Sequence, residues 1–222
     1  MTYLKVELHF DLNSFLIFKG CFMNNSIINK HFILGSGSKR RSDLLEQIGV
    51  NPDLIIPPDI NEIIKPKELP INYVKRMAVE KNIIFQEQHK QSIILTADTI
   101  VCLGKRVLPK AVNKEIAETC LKQLSGRRHK VYTSFAISAP SHILRTKTVQ
   151  SIVKFKRLDV KEILYYLDSN EWEGKAGGYA IQGVAASFIN FISGSYSNIV
   201  GLPLAEVYRI LLSVGYDFSN DK

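Results

Sequence analysis

The chain has 222 residues, 45% apolar and 23% charged, with a formal net charge of +8. That balance supports a sizeable core and excludes global disorder, and the length fits one large α/β domain or two tightly joined lobes. Three widely spaced cysteines, Cys21, Cys102 and Cys120, with no CxxC pair, exclude a disulfide framework or a zinc site and predict free thiols in a reducing compartment.

Residues 1–29 carry apolar residues without a clean period and are expected to form an irregular extension to a domain spanning 30–222. Their most apolar run, Phe15-Leu16-Ile17-Phe18, is far short of the roughly 18 residues that span a membrane. Glu7 and Asp11 precede it, unlike the start of a signal peptide, so a cytoplasmic protein without a membrane partner is expected. Met23 offers an alternative start, and residues 1–22 are expected to be dispensable.

Organised sequence begins with His31-Phe32-Ile33-Leu34, a buried strand ended by Gly35. Ser36-Gly37-Ser38 turns into a helix with Leu44, Leu45 and Ile48 on one face and Gly49 as its stop. Leu54-Ile55-Ile56 is a strand closed by Pro57-Pro58, and Pro70 opens a long helix with Ile71, Val74, Ala78 and Lys81 at helical intervals. Residues 92–97 and 100–103 read as two strands, with a turn at Gly104-Lys105 before Val107-Leu108. Asn113 caps a helix through Leu124 that Ser125-Gly126 ends. Residues 131–138 and 143–155 form a long antiparallel hairpin around Ala139-Pro140-Ser141. Asp159 and Glu162 make a capping box for a helix through Leu167, and residues 174–183 are a glycine-rich connection. Pro203 opens a last helix, which stops at Gly215. Helices alternate with strands, and the hairpin excludes a purely parallel sheet.

Four segments carry candidate chemistry. At Ser36-Gly37-Ser38-Lys39-Arg40-Arg41 a strand runs through a small-residue turn into a helix, where unpaired N–H groups and the helix dipole favour an anion and arginine forks suit phosphate oxygens. The spacing is not that of a P-loop, and a capped surface helix is the plainer alternative. At Thr96-Ala97-Asp98-Thr99 an apolar strand ends on a carboxylate able to hold Mg²⁺ or orient a water, or else forms a simple Asp turn. The glycines of residues 174–183 allow close backbone approach to a ligand, with Lys175 and Gln182 able to read an anion and a base or sugar; a loop of tight turns is the alternative. Asp59-Ile60-Asn61-Glu62, Lys81 and Lys110 add a carboxylate and two cations that alone would be ordinary solvated side chains. The five histidines have no metal-ligand spacing. The basic clusters 39–41 and 127–130 do not interleave with aromatics as a single-strand binder requires, so no nucleic-acid partner is expected.

In this order the segments resemble the Maf family of nucleotide pyrophosphatases, also described as septum-formation inhibitors, over residues 31 to 214. The family's S-x-S-P-R-R stands as Ser36 to Arg41, its A-D-T as Ala97-Asp98-Thr99, and its L-S-G-R-x-H as Leu124 to His129. Its G-K-A-G-x-Y-x-I-Q-G is intact from Gly174 to Gly183, and its V-G-L-P-L stands as Val200 to Leu204. Lys39 replaces the first motif's proline, Pro109-Lys110-Ala111 replaces G-K-P, and Ser134 replaces a smaller residue. The resemblance implies an elongated α/β fold, a mixed sheet with flanking helices and a cleft between two lobes, similar to the inosine triphosphate pyrophosphatases. It implies hydrolysis of a nucleoside triphosphate to the monophosphate and pyrophosphate, with dTTP and UTP or modified nucleotides favoured and a divalent metal, Mg or Mn, as cofactor. Asp98 would be the catalytic acid residue and, with Glu62, hold the metal; Ser36, Arg40, Arg41, Lys81, Lys110 and Gln182 would bind substrate. A homodimer is compatible with the family, as is a role in cell-division arrest, and a nucleotide-binding regulator of septum formation is the alternative function.

Overall fold

The computed structural model describes residues 31–140 and 143–219. The expected extension over 1–29 lies outside these residues, as does Ser141 of the hairpin turn. In chain order the elements are β1 (Phe32–Gly35), α1 (Lys39–Glu46), β2 (Leu54–Ile55), α2 (Pro70–Gln88), β3 (Ile93–Leu103) and β4 (Arg106–Leu108). There follow α3 (Lys114–Leu124), β5 (Arg128–Ser138), β6 (Leu144–Phe155), α4 (Val160–Asp168), a 3₁₀ turn (Val184–Phe188), β7 (Ile189–Ser193), α5 (Tyr196–Val200) and α6 (Leu204–Ser213). The helix-start signals act as read: the Asn113 side chain accepts from the Ile116 N–H, and Asp159 with Glu162 closes a capping box. No helix among the described residues is long and apolar enough to cross a membrane.

The strands form one seven-stranded mixed sheet, ordered β2-β1-β3-β5-β6-β7, with β4 on β3. β1 is parallel to β2 and β3, and the remaining pairs are antiparallel. β5 follows β3 without a break from Ile94 to Cys102. On its other edge β3 pairs with β1 only up to Gly35↔Thr96 and with β4 only from Val101↔Leu108. Residues 97–100 therefore border a gap in the sheet, just beyond the carboxyl end of β1, the kind of place where open α/β sheets gather ligands.

Alternation along β3 puts two cores on one face. Ile93, Leu95 and Ala97 join Leu44, Leu45, Val207 and Leu211, whereas Val101 joins Leu121, Phe155, Tyr166 and Ile181. Thr99 is the polar break between them. On the opposite face, under α2, Ile94 packs with Phe85, and Ile100 and Cys102 pack with Tyr73 and Met77. Thr96 and Asp98 are the polar break there.

Three expectations are corrected. β3 is one strand, so Asp98 sits inside it and neither ends a strand nor turns between two. Partners from other elements satisfy the side chains of Asp98 and Thr99, so neither polar residue has to leave the sheet. On α2 the buried row is Tyr73, Val74, Met77, Ala78 and Lys81, while Ile71 is 45% exposed. β7, α5 and the 3₁₀ turn carry no expectation from the sequence; α5 starts at Ser195, whose side chain accepts from the Asn198 N–H.

Candidate active site

β1 delivers the chain to the sheet gap and α1 leads it away. The first turn of α1 holds Lys39, Arg40 and Arg41 and no acidic residue, and the N-cap Ser38 makes no side-chain capping bond. Three cations at the positive end of an uncapped helix repel both the dipole and one another. Arg41 is nevertheless fixed on all three nitrogens. Its Nε donates to the Gly201 carbonyl at 3.0 Å, Nη1 to Ser36 Oγ at 2.9 Å and Nη2 to Thr99 Oγ1 at 3.2 Å. Thr99 in turn lies 2.9 Å from Thr133 Oγ1, which donates to the Asn198 carbonyl. Burial, opposed by the Asp98 and Glu62 carboxylates, lowers the Arg41 pKa. Burial and the like charge of Arg41 lower Arg40 to about 10, and Arg40 Nε is buried with no hydrogen-bond partner. Among the described residues neither arginine has an ion pair with a carboxylate.

A chain of charges faces them. Lys81, buried on α2, places Nζ 2.8 Å from Asp98 Oδ1 and 2.6 Å from Glu62 Oε1, and Lys110 bonds Glu62 Oε2. Burial pushes the Glu62 carboxyl up, but hydrogen bonds from Lys110 and Lys81 outweigh it and hold the group at about 2. Asp98 and Glu62 are thus a pair of carboxylates that meet at one lysine.

The glycine-rich segment makes the far wall. It is stitched to the chain after β4 by Gly174 N to Ala111 O (2.8 Å), Ala111 N to Lys175 O (3.0 Å) and Gly177 N to Pro109 O (3.0 Å). Lys110 is bridged to Ala176 in the same ladder. The close approach requires glycine: Gly177 has φ +66°, and a Cβ there would lie 2.9 Å from the Val101 side chain. Burial, then the nearby Arg40, lowers the pKa of Lys175.

One cleft of about 270 Å³ brings together all eight residues singled out from the sequence: Ser36, Arg40, Arg41, Glu62, Lys81, Asp98, Lys110 and Gln182. Gln182 is exposed on the wall and makes no hydrogen bond among the described residues. Five cationic side chains, Arg40, Arg41, Lys81, Lys110 and Lys175, line the cleft against two carboxylates, so it carries surplus positive charge. Sequence reasoning missed Thr99, Thr133 and Gly201, which orient Arg41. Thr99 and Gly201 lie in recognised segments, but a hydroxyl and a carbonyl carry no charge to mark them.

The chain matches the family model for the Maf-like protein over residues 31–214. It is 48% identical over 187 residues to a dTTP/UTP pyrophosphatase of Zymomonas mobilis, covering 84% of this chain and 93% of that protein. It is 52% identical over 185 residues to a dTTP/UTP pyrophosphatase of Roseobacter denitrificans, covering 83% and 97%. A nucleoside triphosphate pyrophosphatase of Neorickettsia sennetsu is 50% identical over 184 residues, covering 83% and 88%. A solved HAM1 protein from Coxiella burnetii superposes with a TM-score of 0.42 at 13% identity, covering 83% of this chain and 99% of that one. The family match over residues 31–214, with relatives 48% to 52% identical over most of their length, establishes that this chain belongs to the Maf-like protein family.

Proposed function

We propose that this protein is a nucleoside triphosphate pyrophosphatase that cuts between the α and β phosphates and favours dTTP and UTP. The observation that carries the reading is the first turn of α1: Lys39, Arg40 and Arg41 crowd a helix start without cap or acid, and Arg40 Nε is an orphaned buried donor. A bound polyphosphate removes each of these costs at once. The relatives named dTTP/UTP pyrophosphatase supply the base preference. Action on nucleotides supports the expectation of a cytoplasmic protein.

In this reading Arg41, held by Ser36, Thr99 and Gly201, presents its remaining N–H groups to the phosphates at a set angle, and Arg40 and Lys175 neutralise the outer charge. Asp98 takes the proton of the attacking water as its oxygen bonds to the α-phosphorus and the bond to the bridging oxygen breaks. Monophosphate and pyrophosphate leave. The donor set of Asp98 and Glu62 fits a Mg²⁺ or Mn²⁺ ion, which uses one or two carboxylates with water and substrate phosphates in place of an all-protein cage. Such an ion supplies charge neutralisation at the phosphates and a more acidic water. Lys81 keeps the two carboxylates together.

Product analysis tests the assignment. The purified protein with dTTP, UTP and 7-methyl-GTP should release pyrophosphate and monophosphate, with a higher kcat/KM for the two pyrimidine nucleotides. Orthophosphate with a diphosphate product would remove the reaction, and a preference for 7-methyl-GTP would remove the substrate class.

A further inference from the structure

Glu62 reaches the cleft from a segment, residues 56–69, that carries no helix or strand. Loops of that length inside a compact domain need an anchor. Apolar burial supplies little of it: Ile56 and Ile60 are partly buried, against the clusters that hold Phe85 and Tyr73 respectively, but Ile63 is 63% exposed and Ile64 is also exposed. The anchor is polar and comes from α2. Tyr73 Oη donates to the carbonyl of Glu62 itself at 3.0 Å, and Arg76 Nη2 donates to the next carbonyl, that of Ile63, at 2.9 Å. Arg76 also makes a two-pronged bond to Glu68, Nε to Oε1 and Nη2 to Oε2, both 2.7 Å. Glu68 Oε2 accepts the Lys65 N–H as well, closing the loop on itself. The Arg76 guanidinium lies 5.6 Å from the centre of the Tyr73 ring and is steadied from the helix side by Glu80 at 3.2 Å.

We propose that Tyr73 and Arg76 are positioning residues that hold the Glu62 loop against α2, so that the Glu62 carboxylate meets Lys81 and the cleft at a fixed point; this rests on the reading of the cleft given above. Tyr73, Met77 and Lys81 recur every fourth residue along the buried row of α2. The group that fixes the Glu62 backbone and the group that meets its carboxylate therefore belong to one rigid helix face. An isolated surface ion pair would contribute little. Here the bidentate geometry, the shared backbone carbonyl and the aromatic ring make Arg76 part of a network.

Two variants test the proposal. Tyr73→Phe removes one hydroxyl and keeps the ring; Arg76→Ala removes the loop's fork; Lys75→Ala, at an exposed position of α2 outside this network, is the control. Amide hydrogen exchange across residues 59–68 should accelerate in the first two and not in the control. The single-turnover rate should fall about tenfold in each of the first two, the scale of one lost hydrogen bond. In a Glu62→Gln background the same substitutions should cause little further loss, because the group they position is already gone. Equal losses in both backgrounds, or unchanged exchange in Arg76→Ala, would overturn the proposal. A wild-type protein that forms no pyrophosphate would instead defeat the functional reading, and the exchange comparison would still decide the anchoring role.

Discussion

Lys81 on α2 and Asp98 inside β3 form an ion pair of 2.8 Å with side chains only 5% and 4% exposed, and Glu62 shares the same ammonium at 2.6 Å. This contact lets an aspartate occupy the middle of a central strand. It also brings two carboxylates together opposite the arginines of α1.

Removing the ammonium should be costly. Lys81→Met leaves Asp98 buried without a counter-charge, and breaking a buried pair from one side costs about 3–5 kcal/mol. Urea unfolding should show a loss of that order, and Lys81→Met combined with Asp98→Asn should recover part of it. A loss below about 1 kcal/mol would show that the pair is solvated in solution.

Arg41→Lys keeps the charge but cannot reproduce the three bonds to Ser36, Thr99 and Gly201. A flexible ammonium is a poor substitute for an oriented fork. We expect kcat/KM to fall at least about tenfold, the scale of one lost charge-assisted hydrogen bond, with thermal stability nearly unchanged. Wild-type kcat/KM in this variant would contradict the clamp.

Stability should respond to pH through His129. It is 1% exposed, with Nε2 2.8 Å from Tyr179 Oη, and burial lowers its pKa from 6.5 to about 4. The folded state resists the proton that the unfolded chain accepts. The contribution is therefore complete above the unfolded value and is lost as pH falls from 6.5 toward 4. About 2 kcal/mol should be gone by about pH 5. Glu62, held at about 2, adds a separate loss only below the ordinary glutamate value of 4.5. The urea midpoint should fall between about pH 7.5 and about pH 5 in the wild type and fall less in His129→Gln; parallel slopes would contradict this assignment.

The left-handed turn at Gly177 gives a further check. Gly177→Ala adds a methyl 2.9 Å from the Val101 side chain in a backbone conformation that only glycine adopts freely. We expect a loss of more than about 1 kcal/mol, read as a lower melting temperature. An unchanged melting temperature would mean that the wall loop relaxes without strain.

How much of this was legible in the sequence depends on how local each cause is. Asn113 and Asp159 with Glu162 act within a turn of their own position, and the helix starts they mark are where the sequence places them; α1 ends at Glu46, short of the expected Ile48 and Gly49. Asp98 was misplaced because its partner, Lys81, is 17 residues away on another element, and nothing local distinguishes a paired strand aspartate from one in a turn. The clustering of Arg41, Asp98 and Lys110 was available only through resemblance, since the sheet gap that unites them is a property of strand order. β7 was hidden because its five residues, Ile189 to Ser193, show weak alternation and follow a glycine-rich stretch. The roles of Tyr73 and Arg76 could not be read at all, because their partners are backbone carbonyls of a loop.

The most direct test is Asp98→Asn, assayed for pyrophosphate release beside nucleotide binding and thermal melting on the same preparation. Asparagine keeps an oxygen for Lys81, and Glu62 still balances the ammonium, so the protein should fold. In the proposed reading Arg40 and Arg41 bind the phosphates independently of Asp98, so affinity should largely survive. Turnover should fall on the order of 10²-fold or more, because the group proposed to accept the water's proton is gone. A folded, nucleotide-binding Asp98→Asn protein that keeps more than about a tenth of wild-type turnover, well outside that range, would contradict the account.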